Sequence, residues 1–80
     1  MEWIDWREHE ANIPLERLPD FHRAFLRSRG VVNPEQMMLR RVQQSVEREL
    51  NTLCQAGLAK NEEGHLWVAK SVLDAISIPD

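Results

Sequence analysis

Gln44-Ser45-Val46-Glu47-Arg48-Glu49-Leu50-Asn51-Thr52-Leu53-Cys54-Gln55-Ala56-Gly57-Leu58 is the stretch that decides the fold. Val46, Leu50 and Leu53 recur at spacings of four and three, the interval that puts side chains on one helical face. Leu39 and Val42 carry the same stripe upstream, and Gly57 ends it. With that stripe turned inward, Gln43, Gln44, Glu47, Arg48, Asn51 and Gln55 point outward.

The segments on either side complete the pattern. Asn33, Pro34 and Gln36 have the order of an N-cap, a first helical residue and a capping-box partner, which predicts a helix start at Pro34. The spacing leaves open whether 34–56 is one helix or two joined near Arg41. Downstream, Leu58-Ala59-Lys60 and His65-Leu66-Trp67-Val68 flank Asn61-Glu62-Glu63-Gly64, and this predicts a short hairpin with a glycine for the positive φ of its turn. If Leu66 and Val68 face the core, alternation turns Trp67 to the other side. Ser71 is placed to cap a final helix through about Ile76, ahead of Pro79.

Toward the N-terminus, Phe21, Ala24 and Phe25 share one face of a helix that follows Pro19 and Asp20 and closes at Gly30. Asp5, three residues before Glu8, caps a first short helix over about 6–11, which Asn12-Ile13-Pro14 stops. The predicted core comprises Phe21, Phe25, Leu39, Val42, Val46, Leu50, Leu53, Leu58 and Leu66, with Met37 and Met38 filling gaps.

Eighty residues, 42% apolar and 29% charged, make one ordinary globular domain with no second core. The single cysteine excludes an intrachain disulfide. An acid at position 2, where a signal peptide carries positive charge, and the lack of any run near ~18 apolar residues imply a cytoplasmic protein without a membrane partner. The net charge of −3 is unevenly spread. Residues 1–20 hold six acids against two arginines, whereas 21–56 hold Arg23, Arg27, Arg29, Arg40, Arg41 and Arg48 against three glutamates. The basic charge lies in the middle of the chain.

Helix, helix, polar-faced helix, Gly57-Leu58 and hairpin, in that order over residues 18–76, resemble the winged helix-turn-helix domains of bacterial transcriptional regulators. The resemblance implies a mainly α fold of three core helices and a two-stranded wing, with a short C-terminal helix. Residues 1–17 would form an N-terminal helical arm and 18–80 the winged-helix domain. It further implies a recognition helix at about 44–55 that enters the major groove of double-stranded DNA. The residue types suit that task on their own chemistry. Arginine pairs bidentately with guanine, and glutamine or asparagine with adenine. Ser45 and Thr52 can bind phosphate, while Arg40 and Arg41 sit where backbone contacts anchor a recognition helix. The nucleic-acid candidates are therefore Arg40, Arg41, Gln43, Gln44, Ser45, Arg48, Asn51, Thr52 and, on the wing, Lys60. The wing tip, Asn61-Glu62-Glu63-Gly64-His65, is otherwise acidic, which opposes phosphate binding there.

The competing expectation is a winged-helix module that contacts another protein, as a subunit of a larger complex or a phage-type inhibitor. Its anchors would be Trp3, Trp6 and Trp67, set in an acidic exterior. The same tryptophan-bearing segments predict a homodimer formed through the N-terminal arm or the final helix. The bland role for these residues is to pack the arm onto the core. His9, His22 and His65 lack metal-ligand spacing, so no metal is expected, and Cys54 reads as a small buried hydrophobe. No phosphate-cradling glycine loop, nucleophile elbow or clustered carboxylate pair is present, which points away from catalysis and from any cofactor.

Overall fold

The computed structural model describes residues 1–77 and shows an α+β domain of four helices and a three-stranded antiparallel sheet. In chain order these are β1 (Trp3–Asp5), α1 (Trp6–Ala11), α2 (Leu18–Ser28), α3 (Leu39–Gln55), β2 (Ala59–Glu62), β3 (His65–Ala69) and α4 (Lys70–Asp74). Single 3-10 turns occupy Leu15–Arg17 and Pro34–Gln36. Pro79, read as the stop after the last helix, lies outside the described residues.

The helix at 6–11 forms as its cap predicts. Asp5 Oδ1 accepts the backbone N–H groups of Arg7 at 3.1 Å and Glu8 at 3.2 Å. The second helix starts at Leu18, earlier than expected. Pro19 sits in its first turn, where a missing N–H costs no hydrogen bond. The end of α3 is a Schellman motif. Leu58 N–H donates to Leu53 O at 2.8 Å and Gly57 N–H to Cys54 O at 3.2 Å, with Gly57 at φ 78°. Glu63 and Gly64, at φ 52° and 79°, make the two-residue turn between β2 and β3, and positive φ at both positions matches the twist of a hairpin.

Ser71 lies inside α4 rather than capping it, and the helix ends at Asp74 rather than near Ile76. Three further expectations are corrected. The sheet has three strands rather than two, in the order β1-β3-β2, because Trp3-Ile4-Asp5 pairs with Ala69-Val68-Trp67. The helix predicted to start at Pro34 is only a 3-10 turn there. Asn33 takes a left-handed conformation and its side chain caps nothing. Met37 and Met38 are extended, and a single α-helix begins at Leu39. The cause lies on α2, where Arg23 Nε donates to Pro34 O at 3.1 Å and Nη2 to Met37 O at 3.0 Å. These bonds fix the connection in a non-helical path and supply its carbonyls with partners. Third, Leu39 is 53% exposed and Met38 75% exposed, so the stripe enters the core only at Val42.

The core otherwise follows the predicted phase. Phe21, Phe25, Val42, Val46, Leu50, Leu53 and Leu66 are buried and Leu58 packs against them, joined by Leu26, Val68, Val72 and Trp6, which takes the packing role rather than that of an interface anchor. Trp6 is 2% exposed, with its ring 4.9 Å from Phe25 and 5.5 Å from Phe21. Both tilted contacts are favourable aromatic geometry. Residues 1–17 thus supply one strand and one core aromatic.

Asp5 also links the first helix to the hairpin, since its Oδ2 lies 2.7 Å from His65 Nδ1. The Glu8 backbone N–H first, and His65 second, hold its carboxyl below the ordinary aspartate value of 3.8. A lowered folded value means that stability is gained above the unfolded value and lost as pH falls through the folded one. Asp5→Ala is therefore expected to lower the urea midpoint at neutral pH, with the gap to the parent closing as pH drops below 3.8. A pH-independent gap in paired urea titrations would contradict this role.

Candidate nucleic-acid interface

The outward side of α3 is built by default, once Val42, Val46, Leu50 and Leu53 are committed to the core. On a helix of 3.6 residues per turn, Arg40, Arg41, Gln44, Arg48, Asn51, Thr52 and Gln55 then fall on the opposite arc. All seven are exposed. The helix has 17 residues, so this surface runs for about 25 Å.

The charge on that surface is not neutralised from within the fold. Among the described residues, Arg40, Arg41 and Arg48 make no ion pair or side-chain hydrogen bond. The other basic side chains are nearly all engaged. Arg7 Nη1 donates to Gly64 O at 3.3 Å, and Arg23 holds the turn carbonyls. Arg27 pairs with Glu35, and Arg29 Nε lies 3.5 Å from Glu49 Oε1. Lys60 is 2.6 Å from Glu62, and Lys70 is 3.0 Å from Asp74, a contact that raises the Lys70 ammonium above its usual range. Among the described residues, only Arg17 shares the unpaired state of the three α3 arginines. The basic middle segment of the sequence therefore resolves into two groups, one that ties the fold together and one that is free.

The remaining candidates divide. Ser45 is half-buried on the flank of α3, and the Thr52 hydroxyl donates to Arg48 O at 3.1 Å within the helix, leaving its oxygen lone pairs to accept. Gln43 is exposed but turns off the outward arc. It lines a cleft of about 320 Å³ with Trp6, Arg7, Glu10, His22 and Glu47. Lys60 lies on a different surface, the outer side of the sheet, with its ammonium 4.6 Å from the Trp3 ring centre.

The three tryptophans part in the same way. Trp6 is unavailable to a partner because it is core. Trp3 and Trp67 are half-buried and line one groove on the outer sheet face, with Trp67 turned out by the alternation read from the sequence. Sequence reading missed Arg23, whose role depends on where the 33–38 connection passes. It also missed the pairing of Asp5 with His65, which requires the β1–β3 register. No local signal marks either one.

Among the described residues, no three His, Cys, Asp or Glu side chains gather as metal ligands, and no helix is long and apolar enough to cross a membrane. Comparison with family models, curated proteins and solved structures finds no match for this chain.

Proposed function

We propose that the chain is a winged-helix DNA-binding module that lays the outward face of α3 in the major groove of duplex DNA and acts in transcriptional regulation. The observation that carries this proposal is the set of three exposed arginines on α3 without partners among the described residues, in a fold that pairs nearly every other cation. The order of a helix pair, a polar-faced helix and a hairpin supports the winged-helix assignment. Arg40 and Arg41, in the first turn of α3, take phosphates and set the register. Gln44, Arg48 and Asn51, at successive turns of one arc, reach base edges. The hairpin tip, with Glu62 and Glu63 exposed, is repelled by phosphate, so the contact is confined to the helix.

Different arginines then have separable effects. Arg48→Ala removes a base contact and is expected to cost ~1–3 kcal/mol of discrimination at one base pair, with a smaller loss on random duplex. The check is a selected-site enrichment followed by titration of matched and mismatched duplexes. An equal loss on every sequence would reassign Arg48 to the backbone.

A further inference from the structure

Helices α1 and α3 pack against the sheet, whose inner side buries Leu66 and Val68, whereas Trp3, Asp5, Lys60, Glu62, His65 and Trp67 stand on its outer side. Asp5, Trp67 and Lys60 lie in one row across the three strands. Trp3, Trp67, Lys60, Glu62, Glu63 and His65 line an open groove of about 370 Å³ on this side.

The groove already contains one bound cation, supplied by the chain itself. Lys60 Nζ lies 4.6 Å from the Trp3 ring centre and 2.6 Å from Glu62 Oε2. An indole face and a carboxylate thus hold an ammonium between them, the arrangement in which cation–π attraction and ion pairing act together. The second half of the groove repeats those components. Trp67 supplies another indole, steadied by the His65 ring 5.5 Å away. Glu63, exposed in the tight turn beside it, supplies another carboxylate. Among the described residues, no cation lies over Trp67 and Glu63 has no ion-pair partner. Three carboxylates, Asp5, Glu62 and Glu63, outnumber the two cations beside them, Lys60 and Arg7, whose Nη1 donates to Gly64 O at 3.3 Å, and of the three only Glu63 has no charged or imidazole partner among the described residues. The charge excess therefore favours a positive guest.

We infer that the outer sheet face is a docking site for a basic segment of a partner protein, which seats an arginine or lysine side chain between Trp67 and Glu63. A guanidinium fits best, since it stacks on the indole face while donating to the carboxylate. Duplex DNA is excluded from this face by the same charge that recruits the peptide. The residues do not overlap those of α3, so the site stands or falls independently of DNA binding.

The test is fluorescence anisotropy of a labelled hexa-arginine peptide against the full chain, read beside the shift in intrinsic tryptophan emission. Trp6 is buried, so an emission shift reports Trp3 and Trp67. The expected result is saturable binding that Trp67→Ala weakens about fivefold, within the range of a partly exposed cation–π contact. Glu63→Gln should weaken it by a similar factor, and Trp67→Phe by less than Trp67→Ala. Glu63 is exposed and the aromatic at position 67 is retained in the phenylalanine variant, so both keep the test independent of a folding defect in Trp67→Ala. Equal affinities for the parent, Glu63→Gln and Trp67→Phe would overturn the site and leave only diffuse attraction to an acidic surface. Loss of peptide binding in Arg40→Ala would also overturn it.

Discussion

Trp6→Ala is expected to destabilise the protein by about 3–5 kcal/mol, the cost of removing a large buried aromatic and leaving a cavity that the surroundings fill only in part. Trp6 is 2% exposed and sits against both Phe21 and Phe25, so its loss opens the centre of the α1–α2 contact. Domains of this size hold only a modest margin of stability, and a loss of that size would leave a sizeable unfolded population at 37 °C. Urea denaturation with far-UV circular dichroism measures it directly. A change under ~1 kcal/mol would mean that residues 1–17 behave as an appended arm with Trp6 on the outside.

How far the fold could be read from the sequence depended on the range of the interaction concerned. The α3 stripe from Val42 onward, the Gly57 terminus and the Asp5 cap are set by neighbours within a few residues and form where the residues indicate, and the hairpin turn keeps its Gly64 but closes to Glu63-Gly64 as Asn61 and Glu62 join β2. Strand β1 is three residues long, too short for alternation to register, and its partner lies more than 60 positions away. Asn33-Pro34-x-Gln36 has the grammar of a helix start, but the long-range bonds from Arg23 to Pro34 O and Met37 O prevail over it. The candidate interface was legible in the same measure. Arg40, Arg41, Gln44, Arg48, Asn51 and Thr52 follow from helical phase and share one arc, whereas Lys60 belongs to the sheet face, where its contacts with Trp3 and Glu62 depend on strand register. Sequence charge alone could not separate Arg23, Arg27 and Arg29, which are engaged within the fold, from the three arginines of α3 that have no partner among the described residues.

The double substitution Arg40→Ala, Arg41→Ala is expected to have the larger functional effect. Each arginine that neutralises a phosphate releases about 0.9 of a counterion, so at 50 mM salt each lost contact costs about tenfold in affinity and the pair on the order of a hundredfold. Both side chains are exposed and bond to nothing else among the described residues, so the fold should be unaffected. Circular dichroism and the urea midpoint should match the parent while the affinity for random duplex falls. Unchanged affinity in a folded double variant would remove the first turn of α3 from the interface.

The most direct measurement is the salt dependence of binding to random duplex DNA, taken from 50 to 200 mM salt for the parent and for the variant lacking Arg40, Arg41 and Arg48. With Arg40 and Arg41 on phosphates and Arg48 on a base edge, log K should fall linearly with log salt at a slope near −2 for the parent, since each phosphate contact contributes about −0.9. The triple variant should be nearly flat. Binding that ignores salt, or a slope that survives loss of all three arginines, would contradict a DNA-binding role for the outward face of α3.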